Sequence, residues 1–165
     1  MTWRHVAHTA DVGIEVEAGT REELFSAAAE ALTALLVEPA EGGADAGGGP
    51  GKAPEGADAG AGSAAAPVTH GGAAVEVPVR LPPADDASLL RDWLAEVLVA
   101  FDVNGVVGRG FPVALGPDGL RGAVVGERFD PERHRLGLEV KAVTYHGLEV
   151  EETPGGWRAR VLLDV

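Results

Sequence analysis

The chain has no cysteine, one methionine, one tyrosine, and 13 lysine and arginine residues against 26 aspartates and glutamates in 165 residues. Without cysteine there are no disulfides and no thiolate metal sites, so any metal chemistry falls to oxygen and imidazole ligands. No stretch approaches the roughly 18 consecutive apolar residues of a membrane span, and Arg4 is not followed by the apolar run of a secretory leader. The expected setting is therefore cytoplasmic, with no membrane partner. The shortage of basic side chains gives a net charge of −13. That argues against direct binding to a phosphate backbone, which depends on lysine and arginine displacing condensed counterions. Stacking on exposed aromatics is no better supported, because Trp3, Trp93 and Trp157 fall at core-facing positions of their patterns and no basic groove surrounds Tyr145. A role in RNA metabolism would then pass through a protein partner. The acidic excess can also be read as a solubility device. Residues 1–118 carry 18 acidic and 6 basic side chains and residues 119–165 carry 8 and 7, so the negative charge is concentrated ahead of the C-terminal third.

What the chain has in excess is glycine and alanine, concentrated at about 41–74. Val68 is the only β-branched aliphatic between Glu41 and Ala73, and there is no aromatic residue. Such a segment cannot bury enough apolar surface to offset the entropy of ordering it, so it is expected to be a disordered insertion in a single domain spanning 1–165. About 130 residues remain to form the folding unit, within the usual domain size.

Outside the insertion the patterns are regular. Trp3 to Ala7 reads as a strand. Val12, Ile14 and Val16 alternate with Gly13, Glu15 and Glu17, the period of a strand with one buried face. Thr20-Arg21-Glu22-Glu23 is a capping box opening a helix with a broad apolar face that should end near Val37, ahead of Pro39. Val75, Val77, Val79 and Leu81 alternate again, and Pro78 demotes this strand to a sheet edge. Asp85 or Asp86 caps a second helix carrying Leu89, Leu90, Trp93, Leu94, Val97, Leu98 and Phe101, stopped by Asn104-Gly105. From Val106 onward only strands are expected: Phe111 to Leu115, Leu120 to Glu127, Leu138 to Thr144, Leu148 to Glu152 and Trp157 to Leu163. Gly116-Pro117-Asp118-Gly119 and Pro154-Gly155-Gly156 supply hairpin turns. The fold class is α+β, a mostly antiparallel or mixed sheet with two helices packed on one face.

Three positions stand out chemically. Asp11, at the junction of the first two strands, suits either an Asx turn or an oxygen ligand for a hard cation. Asp164 is an unusual end for the apolar run Val161-Leu162-Leu163. With oxygens of Val165 it makes a compact anionic group that calls for a cation or a basic side chain. Lys141 reads as an ordinary solvated strand lysine, its alternation putting Leu138, Val140 and Ala142 on one side and Glu139, Lys141 and Val143 on the other. His8, His134 and His146 would be the partners of Asp11 in an acid–base site. No nucleophile elbow, H-E-x-x-H or strand-fed glycine-rich phosphate loop accompanies them.

His8-Thr9-Ala10-Asp11, the Gly126-Glu127-x-Phe129-Asp130-Pro131-x-x-His134 element, the stretch EVKAVTYHGLEVEE from Glu139 to Glu152, and the ending Asp164-Val165 together resemble the archease family. The likeness extends over His8 to Pro39, Leu89 to Phe101 and Gly126 to Val165, and the insertion departs from it. The resemblance implies a protein that is not an enzyme but the activator of one, an RtcB-type GTP-dependent RNA ligase that seals tRNA halves, by promoting ligase guanylylation and turnover. It also implies a divalent cation, usually calcium, with magnesium or manganese as alternatives, held by Asp11, Asp164 and the carbonyl of Val165. Lys141 then belongs to partner activation. His8 and His146 become candidates for hydrogen bonds to the ligands rather than to the ion. A different function implied by the same resemblance is a chaperone-like or specificity-modulating module for nucleic-acid-modifying enzymes such as methyltransferases.

Overall fold

The computed structural model describes residues 1–7, 11–39 and 73–165. In chain order the elements are β1 (Thr2–Ala7), β2 (Asp11–Ala18), α1 (Arg21–Leu36), β3 (Val37–Pro39), β4 (Val75–Leu81) and α2 (Asp86–Asp102). There follow β5 (Val106–Gly110), β6 (Val113–Gly116), β7 (Gly119–Arg128), β8 (His134–Leu136), β9 (Ala142–Val143), β10 (Glu149–Thr153) and β11 (Gly156–Asp164). The class is α+β, and every strand pairing described is antiparallel.

The strands form three sheets where the sequence suggested one. The first has the order β1-β2-β11-β10, with β9 pairing β11 beyond β10. The second is β4-β7-β5, with β6 also on β7, and the third is the ribbon β3-β8. β4 is an edge, as Pro78 requires, and Pro78 faces Ala123 across the β4–β7 ladder.

Both helices start as their caps dictate. Thr20 accepts from the Glu23 amide at 3.2 Å while the Glu23 carboxylate accepts from the Thr20 amide at 3.2 Å. Asp85 accepts from the Ser88 amide at 3.0 Å. α1 buries Leu24, Phe25, Ala27, Ala28, Ala29, Ala31, Leu32 and Leu36, most of its circumference. Its alanines let it lie close to strands of both larger sheets and to α2. α2 buries Leu89, Leu90, Trp93, Leu94, Val97, Leu98 and Ala100, and the Trp93 indole N–H donates to the Phe25 carbonyl at 3.0 Å, fastening one helix to the other. Arg21 adds a second link at the helix starts, with Nη2 2.8 Å from an Asp86 carboxylate oxygen.

Two expectations need correction. The strand expected over Leu138 to Thr144 is reduced to Ala142–Val143. Val140 and Val143 are both buried whereas Leu138, Glu139 and Lys141 are exposed, so the predicted two-residue alternation does not hold. The cause is the backbone's choice of partners: the Gly137 and Leu138 amides bond to the carbonyls of Leu36 and Leu35 at the end of α1, and a ladder begins only where Lys141 N–H meets Asp164 O. Trp3, expected in the core, is 40% exposed because it lies on the edge strand β1.

The insertion at about 41–74 lies outside the described residues except for Ala73 and Ala74, which are exposed. Among the described residues no helix is long and apolar enough to cross a membrane.

Candidate functional site

β2 and β11 run side by side at the centre of the first sheet. Their inward residues, Ile14, Val16 and Ala18 on one and Ala159, Val161 and Leu163 on the other, are buried. Alternation therefore turns Asp11, Gly13, Glu15 and Glu17 to the outer face, opposite Asp164, Leu162, Arg160 and Arg158 in register. Most of that face is mutually compensating. Glu15 pairs with Arg4, and Arg158 pairs with Glu151 at 2.9 Å. The last rung differs, for there Asp11 meets Asp164. Directly opposed side chains have Cβ atoms about 5 Å apart, and like charges so placed repel. Neither carboxylate has an ion-pair partner among the described residues.

Asp164 is bracketed on its other side by β9, where Ala142 is its register partner and the Lys141 amide donates to its carbonyl at 2.8 Å. The Lys141 backbone thus reaches the rung at which Asp11 and Asp164 meet, and its side chain is exposed. Val165 follows at once, half-buried against the core. After β9 the chain leaves the ladder, Thr144 Oγ1 and N both donating to the Leu162 carbonyl at 3.1 Å. The loop then passes over Leu162, which is buried despite facing outward. At Gly147, φ is +63° and a Cβ would lie 2.9 Å from Leu162 Cδ1, so the left-handed, side-chain-free residue is what allows the passage. His146 lies exposed in this turn. His8 lies outside the described residues. Among those residues no three His, Cys, Asp or Glu side chains gather at one point, so a cation at Asp11 and Asp164 would need backbone or water oxygens to complete its shell.

The model of the Archease protein family (MTH1598/TM1083) matches residues 3–46 and 56–165. The chain belongs to the archease family. It is 34% identical to the protein archease of Pyrococcus furiosus, over 99% of this chain and 98% of that one. To the protein archease of Methanopyrus kandleri it is 32% identical over the whole of both. The solution structure of Methanobacterium thermoautotrophicum protein 1598 has a similar fold, with a TM-score of 0.60 and 29% identity over 99% of this chain and 98% of that chain.

Within this archease-family fold the Gly126 to His134 element has an architectural explanation. A Cβ on Gly126 would overlap the Val107 carbonyl, so glycine lets β5 approach β7. Glu127 is a hub: its carboxylate receives Arg109 at 3.1 Å, Arg133 at 2.7 Å and His134 Nε2 at 3.2 Å. Asp130 closes the turn by accepting from the Glu132 amide at 2.9 Å. Its own amide donates to His134 Nδ1 at 3.0 Å, which places the ring proton on Nε2. His134 is 2% exposed and fully engaged here, so the acid–base role with Asp11 considered from the sequence is not what the fold gives it. Arg109 was not legible as a participant, since it stands 18 residues from Glu127 and meets it only through the β5–β7 pairing.

Burial alone would raise the Glu127 pKa, but the hydrogen bonds from Arg109, His134 and Arg133 outweigh it and hold the carboxyl below the usual range. A depressed folded-state pKa gives stability that is present above the ordinary glutamate value and lost as pH falls below it. Glu127→Gln should therefore cost about 2 kcal/mol at pH 7. The difference from wild type should shrink below about pH 4, as urea denaturation at a series of pH values would show. A pH-independent difference would assign the loss to shape rather than charge.

Proposed function

We propose that the protein activates an RtcB-type GTP-dependent RNA ligase without performing turnover itself. In this reading it holds one hard divalent cation, calcium first, with magnesium or manganese as alternatives, between Asp11, Asp164 and an oxygen of Val165. The observation that carries the reading is the uncompensated Asp11–Asp164 rung, in a chain of the archease family whose outer-face Glu15 and Arg158 are ion-paired. An all-oxygen donor set with two opposed carboxylates suits a hard cation. When bound, the ion would neutralise the rung and tie the ends of β2 and β11 together.

The chain's own contribution is to fix the donors. The β2–β11 register sets Asp11 against Asp164, β9 holds the Asp164 carbonyl, and Lys141 is displayed beside them. Activation then requires only that this surface bind the guanylylation-competent conformation of the ligase better than the idle one; a tenfold population shift needs about 1.4 kcal/mol of differential affinity.

The test is multiple-turnover ligation with the cognate ligase, with and without substoichiometric amounts of this protein. Faster ligation and faster appearance of guanylylated ligase are expected, with no nucleotidyl transfer by the protein alone. An unchanged rate would reject the activator reading and favour the modulating module for other nucleic-acid-modifying enzymes.

A further inference from the structure

The C-terminal end of α2 carries charge and apolar surface that the fold does not use. Val99 and Val103 stand one turn apart, 46% and 76% exposed, and Asp102 lies on the same stripe by helical spacing. Beside it runs the irregular segment before β9, with Leu138 38% exposed and Glu139 exposed. Burial and then the charge of Glu139 push the Asp102 carboxyl above its ordinary range. Neither Asp102 nor Glu139 has an ion-pair partner among the described residues. The last turn of α2 contains no basic residue of its own; the roughly half negative charge of the helix end is met from β7 by Arg128, which donates to the Asn104 carbonyl at 2.8 Å. Asp102 and Glu139 thus concentrate negative potential around exposed valines and a leucine.

The segment beginning at Glu139 leads on to the candidate site, where the Lys141 amide meets the Asp164 carbonyl. Further along the segment, Arg91 of α2 donates to the Val143 carbonyl at 3.4 Å and lies 5.1 Å over the Tyr145 ring. Residues 139–145 therefore run antiparallel to α2, from Asp102 back to Arg91. Between those two points Lys141 makes its bond to Asp164.

We propose that the face formed by Val99, Asp102, Val103, Leu138 and Glu139 docks a lysine- or arginine-bearing, apolar-tipped surface of a partner protein. Resting on the reading above, that partner is the ligase, brought so that Lys141 and the Asp11–Asp164 rung face it. A basic side chain seated there neutralises the two carboxylates together, and the apolar contacts exclude water from the pair. RNA is a poor occupant, because its phosphates would add to the same negative potential. A second copy is disfavoured by the chain's net charge of −13.

The experiment measures ligase affinity by calorimetry, at low and high salt, for wild type, the double variant Asp102→Lys/Glu139→Lys, the milder Asp102→Asn/Glu139→Gln, and Asp164→Ala. Both carboxylates are exposed and repel one another, so the variants should melt no lower than wild type. The lysine pair should weaken binding by about tenfold or more and flatten its salt dependence, and the amide pair should weaken it less. Asp164→Ala should fail to stimulate ligation, its affinity falling by no more than the roughly tenfold by which that rung favours the competent ligase. Wild-type affinity in both charge variants would overturn the docking face while leaving the activator reading in place. Absence of wild-type binding would instead remove the reading itself, and the ligase as occupant with it. Dimerisation of wild type on sedimentation that the lysine variant abolishes would assign the face to a second copy and likewise overturn the proposal.

Discussion

Asp164→Ala should eliminate stimulation of the ligase while leaving the protein as stable as before when no divalent cation is added. Asp164 is exposed at the end of β11, whereas the core of that strand is made by Ala159, Val161 and Leu163, so truncating it opens no cavity. It also removes one of two opposed like charges, which by itself is neutral or slightly stabilising. With calcium the order should reverse. A cation that binds only the folded state stabilises it by about 2.7 kcal/mol at a hundred times its dissociation constant. Wild type should therefore rise in melting temperature on calcium addition while Asp164→Ala and Asp11→Ala stay flat. Lys141→Ala should keep the calcium response and lose stimulation, since its exposed side chain is assigned to the partner. Equal calcium shifts in wild type and both aspartate variants would remove the ion from this rung, whatever the ligation assay shows.

Trp93→Ala should be the most damaging single change to the fold. The side chain is fully buried and its N–H bonds to Phe25 of α1. The ring also fills the space above Gly122 of β7, where a Cβ would lie 3.1 Å from Cζ3. One residue thus fastens α2 to α1 and to the second sheet. Truncating a buried tryptophan costs about 3–5 kcal/mol, a large share of the 5–15 kcal/mol that holds a domain together. Trp93→Phe should recover most of it, short by about 1 kcal/mol for the lost hydrogen bond. Trp157, half-buried with Arg21 5.7 Å over its ring, should cost less on truncation. A loss below about 1.5 kcal/mol for Trp93→Ala would mean that the helices close over the vacated space.

The helices were legible because their signals are local. The Thr20 box, the Asp85 cap and the stop at Gly105 each depend on residues within one turn, and each formed as written. The hairpin turns at Gly119 and Gly156, with φ of +104° and +143°, are equally local. The ribbon β3–β8 was not legible, since three residues span too little of a period to register. Residues 138–144 misled because a hydrophobic alternation says nothing about which carbonyls their amides will find. The candidate site divides in the same way. Asp11 and Asp164 were conspicuous as residue types, and family resemblance joined them, but their confrontation on one rung is a matter of register that no pattern within either strand reveals. The Glu127 hub was invisible for the same reason, since Arg109 reaches it only across a ladder.

That rung joins residues 153 positions apart, and it has a consequence in time as well as in space. Contacts between distant parts of a chain bear the largest loop-closure entropy and tend to form late. A molecule whose final strand has not yet zipped against β2 has two isolated carboxylates and no rung to offer an ion. On the proposed function, ion capture at Asp11 and Asp164 would therefore act as a seal of completion, and an incompletely folded chain would not be expected to switch the partner on.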